Sequence, residues 1–137
     1  MIREATPSDL AAVLEIAADG FKGEDRIGPA WLIRKLAQPG TTLHVESLGA
    51  DCVRGFVLIE RYRPGELVRL IAVAPSHRRQ GVGRALLGKL RAPASAWVRA
   101  ENMASRAMFE NASWNLATRP TRRKGEWVYF TRLRSPS

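Results

Sequence analysis

The sequence is short of several residues that usually announce a function. One cysteine in 137 residues, Cys52, excludes an intrachain disulfide. It opens an apparent strand and reads as a small buried hydrophobe. Histidine is almost as scarce: His77 sits in a loop and His44 in a strand, and no His/Cys cluster has metal-ligand spacing, so no metal is expected. No apolar run approaches the length of a membrane span. The opening Met1-Ile2-Arg3-Glu4-Ala5-Thr6 lacks the apolar centre of a secretion signal, so a cytoplasmic location away from membranes is expected. Acids are few, 13 against 22 lysines and arginines, which leaves a charge of +9. Such a balance favours anionic partners, either a phosphorylated cofactor or nucleic acid. The arginines are nevertheless spread along the chain, as on an ordinary solvated surface. What is plentiful is apolar material, 45% of residues, enough for one core without staples.

The chain is organised around residues 67–87. Leu70-Ile71-Ala72-Val73 reads as a buried strand that Pro75 stops. A polar turn with Gly81 and Gly83 follows, and the period of Val82, Ala85, Leu86 and Leu90 predicts a helix over 81–91. A glycine turn feeding a helix start offers unpaired backbone N–H groups at the positive end of the helix dipole, a geometry that binds phosphate. Gly81 and Gly83 would keep Cβ atoms clear of a pyrophosphate, with Arg78, Arg79 and Arg84 adding charge. A P-loop would need Ser or Thr after Gly88-Lys89, where Leu90 stands. A dinucleotide fingerprint would need Gly or Ala at Leu86. At this level a plain strand-to-helix turn with arginines facing solvent is the competing reading.

Around this centre the chain reads as alternating elements. A strand over 2–5 leads to Thr6 as N-cap, Pro7 at the first helical position and Asp9 as the acid of a capping box. The stripe Leu10, Val13, Leu14 and Ala17 carries that helix to Gly20. A polar connector, 21–29, precedes a helix over 30–37. Strands over 41–47 and 52–62 form a hairpin, and a turn at 63–65 delivers the chain into the central strand, 66–74. Ala92-Pro93 cuts the following helix short before a strand over 95–100. Asn102 caps the next helix. A last hairpin, 114–118 with 126–133, surrounds a basic stretch, and residues 135–137 form a disordered tail.

Arg78-x-x-Gly81-x-Gly83, placed after that strand, resembles the acetyl-CoA loop of the GCN5-related N-acetyltransferase (GNAT) family, Gln/Arg-x-x-Gly-x-Gly/Ala. Asn102 followed by Ala107-Met108-Phe109-Glu110-Asn111-Ala112-Ser113-Trp114 is similar to the family's Asn and later Ala-x-Tyr-Glu-Lys-x-Gly-Phe. The resemblance extends over nearly the whole chain in element order. It implies an α/β (α+β) fold, a mixed, mostly antiparallel sheet of six to seven strands flanked by about four helices, in a single domain over 1–134. It implies acetyl-CoA as cosubstrate and transfer of acetyl to a primary amine, by a monomer or homodimer. By the same resemblance the backbone of Ile71, Ala72 and Val73 would pair with pantetheine. Arg78, Arg79, Gln80, Gly81, Val82, Gly83 and Arg84 would hold the pyrophosphate, and Asn102 would bind pantetheine or phosphate. Phe21 and the Glu24-Asp25 pair in the first connector, and Arg122 in the last hairpin, would touch the acceptor.

The departures bear on mechanism. Phe109 stands where many relatives carry a tyrosine that protonates the departing thiolate, and a phenyl ring donates no proton. Trp97 stands where the ribosomal-protein alanine acetyltransferases place a glutamate base. Glu66, at the start of the central strand, is then the expected base, its pKa raised by desolvation, with Glu60 and Glu101 behind it. The basic stretch 119–124 would repel lysine-rich tails. That leaves a small amine, a neutral or acidic peptide, or an amine on an anionic polymer as acceptor. Two other readings stay open: a GNAT-like protein acting on or binding nucleic acid, and a catalytically degenerate acyl-CoA-binding module.

Overall fold

A computed structural model describes residues 1–63, 65–117 and 127–133, with Glu24 described for its backbone only. The described residues form seven strands in one sheet, ordered β1-β2-β3-β4-β5-β7-β6. The strands are β1 (Ile2–Glu4), β2 (Thr41–Leu48), β3 (Cys52–Tyr62), β4 (Gly65–Val73), β5 (Ala94–Arg99), β6 (Asn115–Ala117) and β7 (Trp127–Arg132). Every pairing is antiparallel except that of β4 with β5. Four α-helices accompany them: α1 (Leu10–Gly20), α2 (Pro29–Leu36), α3 (Val82–Leu87) and α4 (Met103–Asn111).

The alternation of β-strand side chains sorts the core into two layers. Phe56 and Leu58 of β3 point to one face, where they meet Val13, Ile16 and Ala17 of α1 and Leu32 of α2. Val57 and Ile59 point to the other, with Val82, Leu86 and Leu87 of α3 and Phe109 of α4. The two helical pairs thus flank the sheet.

The predicted start of α1 is observed, its first turn tightened into a 3-10 helix over Pro7–Asp9. The buried Asp9 carboxylate accepts the Thr6 N–H at 2.7 Å and grips Arg3 through two bonds of 2.7 and 3.0 Å. Those hydrogen bonds, the Arg3 guanidinium foremost, hold its carboxyl far below the usual range against the opposing effect of burial.

Two expectations are corrected. Cys52 is exposed, not buried. It pairs with Leu48 at the tip of the β2–β3 hairpin, beyond the cover of the helices. Helix α3 ends at Leu87 instead of Arg91. Gly88 closes it, and the guanidinium of the buried Arg132 on β7 donates to the carbonyls of Leu87 and Leu90, so Leu90 reaches the core without extending the helix.

Candidate active site

β4 and β5 are hydrogen-bonded neighbours only from Glu66 to Val68 and from Ala94 to Ala96. Past that point they part. The register of β4 against β3 shifts at the same place: Leu58 faces Leu70 but Ile59 faces Val68, which leaves Arg69 as an extra residue on β4. A bulge bends its strand and ends pairing on one side, and here it opens a split in the middle of the sheet. The Ala74 N–H donates to Arg54 O at 2.8 Å, towards β3. Alternation then turns the backbone of Ala72 to β3 as well, and that of Ile71 and Val73 to the open side. Of the three strand residues expected to pair with pantetheine, these two present their amides to the split, and Ala72 does not.

The split holds a cavity of about 420 Å³. On the α3–α4 side it is bounded by Val98, Asn102, Ser105 and Phe109. The Asn102 side chain caps α4, its Oδ1 accepting the Ser105 N–H at 3.1 Å. Phe109 is buried, packed on Trp114 and Phe130 at ring separations of 5.0 and 5.2 Å. It offers a wall and no hydroxyl.

The glycine loop follows β4. Arg79 and Gly81 adopt left-handed φ of 64° and 78°. The first-turn amides of Val82, Gly83 and Arg84 precede any carbonyl of their own helix. Gly81 is needed for its conformation, since an added Cβ would meet open space. Gly83 has a different reason: its Cβ would lie 2.6 Å from Met108 Sδ. The sequence reading gave both glycines to the pyrophosphate, whereas Gly83 is where α3 meets α4. Among the side chains, Val82 is buried in the core and Arg84 is exposed. Arg78 pairs with Asp19 at 3.0 Å, and Gln80 Oε1 accepts from Arg54 at 3.5 Å.

On the α1–α2 side the wall is aromatic: Phe21, Trp31, Trp97 and Trp127. Asp25 and Arg99 span it through two hydrogen bonds of 2.9 and 2.8 Å. These bonds lower the pKa of Asp25 despite its partial burial. Arg99 also lies over the Trp127 ring at 4.3 Å, and Trp97 packs against Tyr129 at 4.6 Å. Trp31, Arg99 and Trp127 were not singled out from the sequence. The strand 94–99 alternates Ala94, Ala96 and Val98 on one face with Ser95, Trp97 and Arg99 on the other, and Trp97 was the one signal of a covered surface on that second face.

Glu66 is not brought to this cavity. It is buried on the α3 face, where its carboxylate accepts the Arg91 N–H at 2.5 Å and meets Arg61 Nε at 3.3 Å. Position along the strand explains the difference, because Glu66 pairs with Ala94 where β4 and β5 are still joined, before the split opens. Glu60 is engaged by Lys35 at 3.1 Å and Arg69 at 3.6 Å. The Phe21 expectation falls on the cavity wall. Arg122, with the basic stretch around it, and the Glu24 side chain lie outside what is described.

A split sheet beside a glycine turn is specific enough to compare with known proteins. The model of the acetyltransferase (GNAT) domain matches residues 39–124. The chain belongs to the GNAT family. Solved GNAT structures share its fold at low identity. An acetyltransferase of the family from Bacillus cereus is 15% identical with a TM-score of 0.76, over 98% of this chain and 96% of that one. A ribosomal-protein-alanine N-acetyltransferase from Brucella melitensis is 21% identical with a TM-score of 0.72, over 97% and 99%. The putative acetyltransferase YncA from Salmonella typhimurium, solved with its cofactor acetyl-CoA, is 21% identical with a TM-score of 0.67, over 96% and 90%. No curated protein matches by sequence. Among the described residues, no helix of this GNAT chain is long and apolar enough to cross a membrane.

Proposed function

We propose that the protein moves an acetyl group from acetyl-CoA to a primary amine by direct attack. The observation that carries this reading is the unpaired edge of β4 past Val68, which faces a cavity bounded by the α4 cap. An open strand edge binds amide-bearing chains as an added strand would. Ile71 and Val73 would pair with the pantetheine amides, and one of their N–H groups would polarise the thioester carbonyl. The loop amides from Arg79 to Arg84 would take the pyrophosphate, with Asn102 beside the pantetheine arm. Bound acetyl-CoA supplies an acyl group already activated as a thioester. The protein's part is then chiefly to orient the amine and exclude water. Glu66 has no place in this scheme, since its carboxylate is held by Arg91 and Arg61 where β4 and β5 are still paired.

The ion pairs support transfer over nucleic-acid binding. Arg3, Lys35, Arg54, Arg61, Arg69, Arg78 and Arg99 each face an acid, which takes these seven side chains out of any basic face and leaves the excess of +9 to the other lysines and arginines. The absence of a phenol at Phe109 and of a carboxylate at Trp97 favours the degenerate binding module as the second reading. Calorimetry with coenzyme A, followed by thiol release from acetyl-CoA across a panel of amines, separates the readings. Binding and release together are expected. Binding without release to any amine gives the binding module, and no heat with coenzyme A overturns both.

A further inference from the structure

Three of the four tryptophans, Trp31, Trp97 and Trp127, line one cavity, together with Phe21. All four rings are half-buried and come from four separate elements or their ends. An amine alone needs no such surface, whereas a flat apolar body does. The charges in the same lining are unequal. Arg99 is bonded to Asp25 and Arg69 faces Glu60 at 3.6 Å, so the positive charge left over in the lining is that of the exposed Arg26. A ligand with an added positive charge is repelled there, and one with a carboxylate is drawn in.

The proton gives a third constraint. Asp25 is the one carboxylate among the described lining residues, and no histidine joins it. Arg99 holds the pKa of Asp25 below its ordinary value, so Asp25 is a poor proton acceptor near neutrality. The acceptor nitrogen must therefore arrive neutral. The amine of a free α-amino acid is less basic than a lysine amine, whose pKa of about 10.4 leaves it neutral in well under a thousandth of molecules at pH 7.

We propose, resting on the acetyl-transfer reading above, that the acceptor is an aromatic α-amino acid. Its ring lies on the tryptophan wall, its carboxylate turns to Arg26, and its α-amine faces the open edge of β4. The nitrogen lone pair forms the new C–N bond at the acyl carbon, and the C–S bond breaks with its electron pair leaving on sulfur. The proton lost by nitrogen passes through solvent to that thiolate. The products are the N-acetyl amino acid and free coenzyme A, with nothing oxidised or reduced.

The test is thiol release from acetyl-CoA with L-phenylalanine, L-tryptophan, L-alanine, phenethylamine and Nα-acetyl-lysine amide, beside calorimetry with coenzyme A. The two aromatic amino acids are expected to exceed the other three at least tenfold in kcat/KM. Preference for phenethylamine, L-alanine or the lysine amide, or transfer to none of the five while coenzyme A binds, overturns this inference and leaves the cofactor site standing. Failure to bind coenzyme A removes the reading beneath it. Arg26→Glu provides a second measurement, because Arg26 is exposed and its change should not disturb the fold. KM for L-phenylalanine should rise about tenfold with kcat kept, and phenethylamine should not be weakened. Equal weakening of both amines, or no change in either, counts against the assignment.

Discussion

At one end of the split the surface is made by backbone, and at the other by side chains. The loop end is a run of local conformations, Arg79 and Gly81 left-handed and then the bare first turn of α3. The aromatic end is assembled from Phe21, Trp31, Trp97 and Trp127, residues brought together only by the sheet and its helices. Backbone recognition suits a ligand part that never varies, and side-chain recognition suits one that differs between relatives. A family can therefore keep one end and rebuild the other.

The largest effect expected from separating the two ends is at Gly81. Gly81→Val forces a β-branched residue into left-handed φ at a strain of about 1–3 kcal/mol. Calorimetry should show coenzyme A affinity down by roughly tenfold to a hundredfold. Retained affinity would mean that the loop is not the phosphate end.

Glu66→Ala asks whether catalysis reaches outside the cavity. It leaves the Arg91 N–H without its charged acceptor, a loss of about 2 kcal/mol in urea denaturation. The pH profile of kcat should stay in place. A profile that moves while stability holds would return Glu66 to the reaction.

Gly83→Val tests whether the second glycine belongs to packing. Overlap with Met108 should destabilise by about 1–2 kcal/mol. Met108→Ala should recover part of that loss in the double variant. A loss of affinity with unchanged stability would assign Gly83 to the ligand instead.

The smallest effect expected is at Asp25. Its folded pKa is depressed, so the pair with Arg99 contributes above the unfolded value of about 3.9 and fades as pH falls through the folded pKa. Both groups are partly exposed, which limits the contribution to roughly 0.2–1 kcal/mol. Asp25→Asn should lower stability by that amount at pH 7, and the gap from the parent should close only below about pH 4. A gap that closes at pH 6 would contradict the depressed pKa.

The same division explains what could be read in advance. Pro75, Gly81 and the Asn102 cap are punctuation, each acting on its own backbone, and they marked the strand end, the turn and the start of α4 correctly. Thr6, Pro7 and Asp9 did so for α1. The helix 81–91 was read too long because its end is set by Arg132, 45 residues from Leu87. Glu66 was read into the site because the sequence does not record how far β4 stays paired with β5 before the bulge at Arg69 opens the split. Which face of β5 and β7 a helix leaves uncovered depends on the whole topology, and no local pattern records that.

The order of the sheet has a consequence for the nascent chain. β6 is synthesised before β7, yet its recorded partner is β7, which lies between it and β5. As the polypeptide leaves the ribosome, β6 has no template to join until the later strand threads into the gap. That arrival also delivers Trp127 to the cavity and Arg132 to the end of α3. Translation must therefore pass residue 127 before the aromatic end of the cavity is complete.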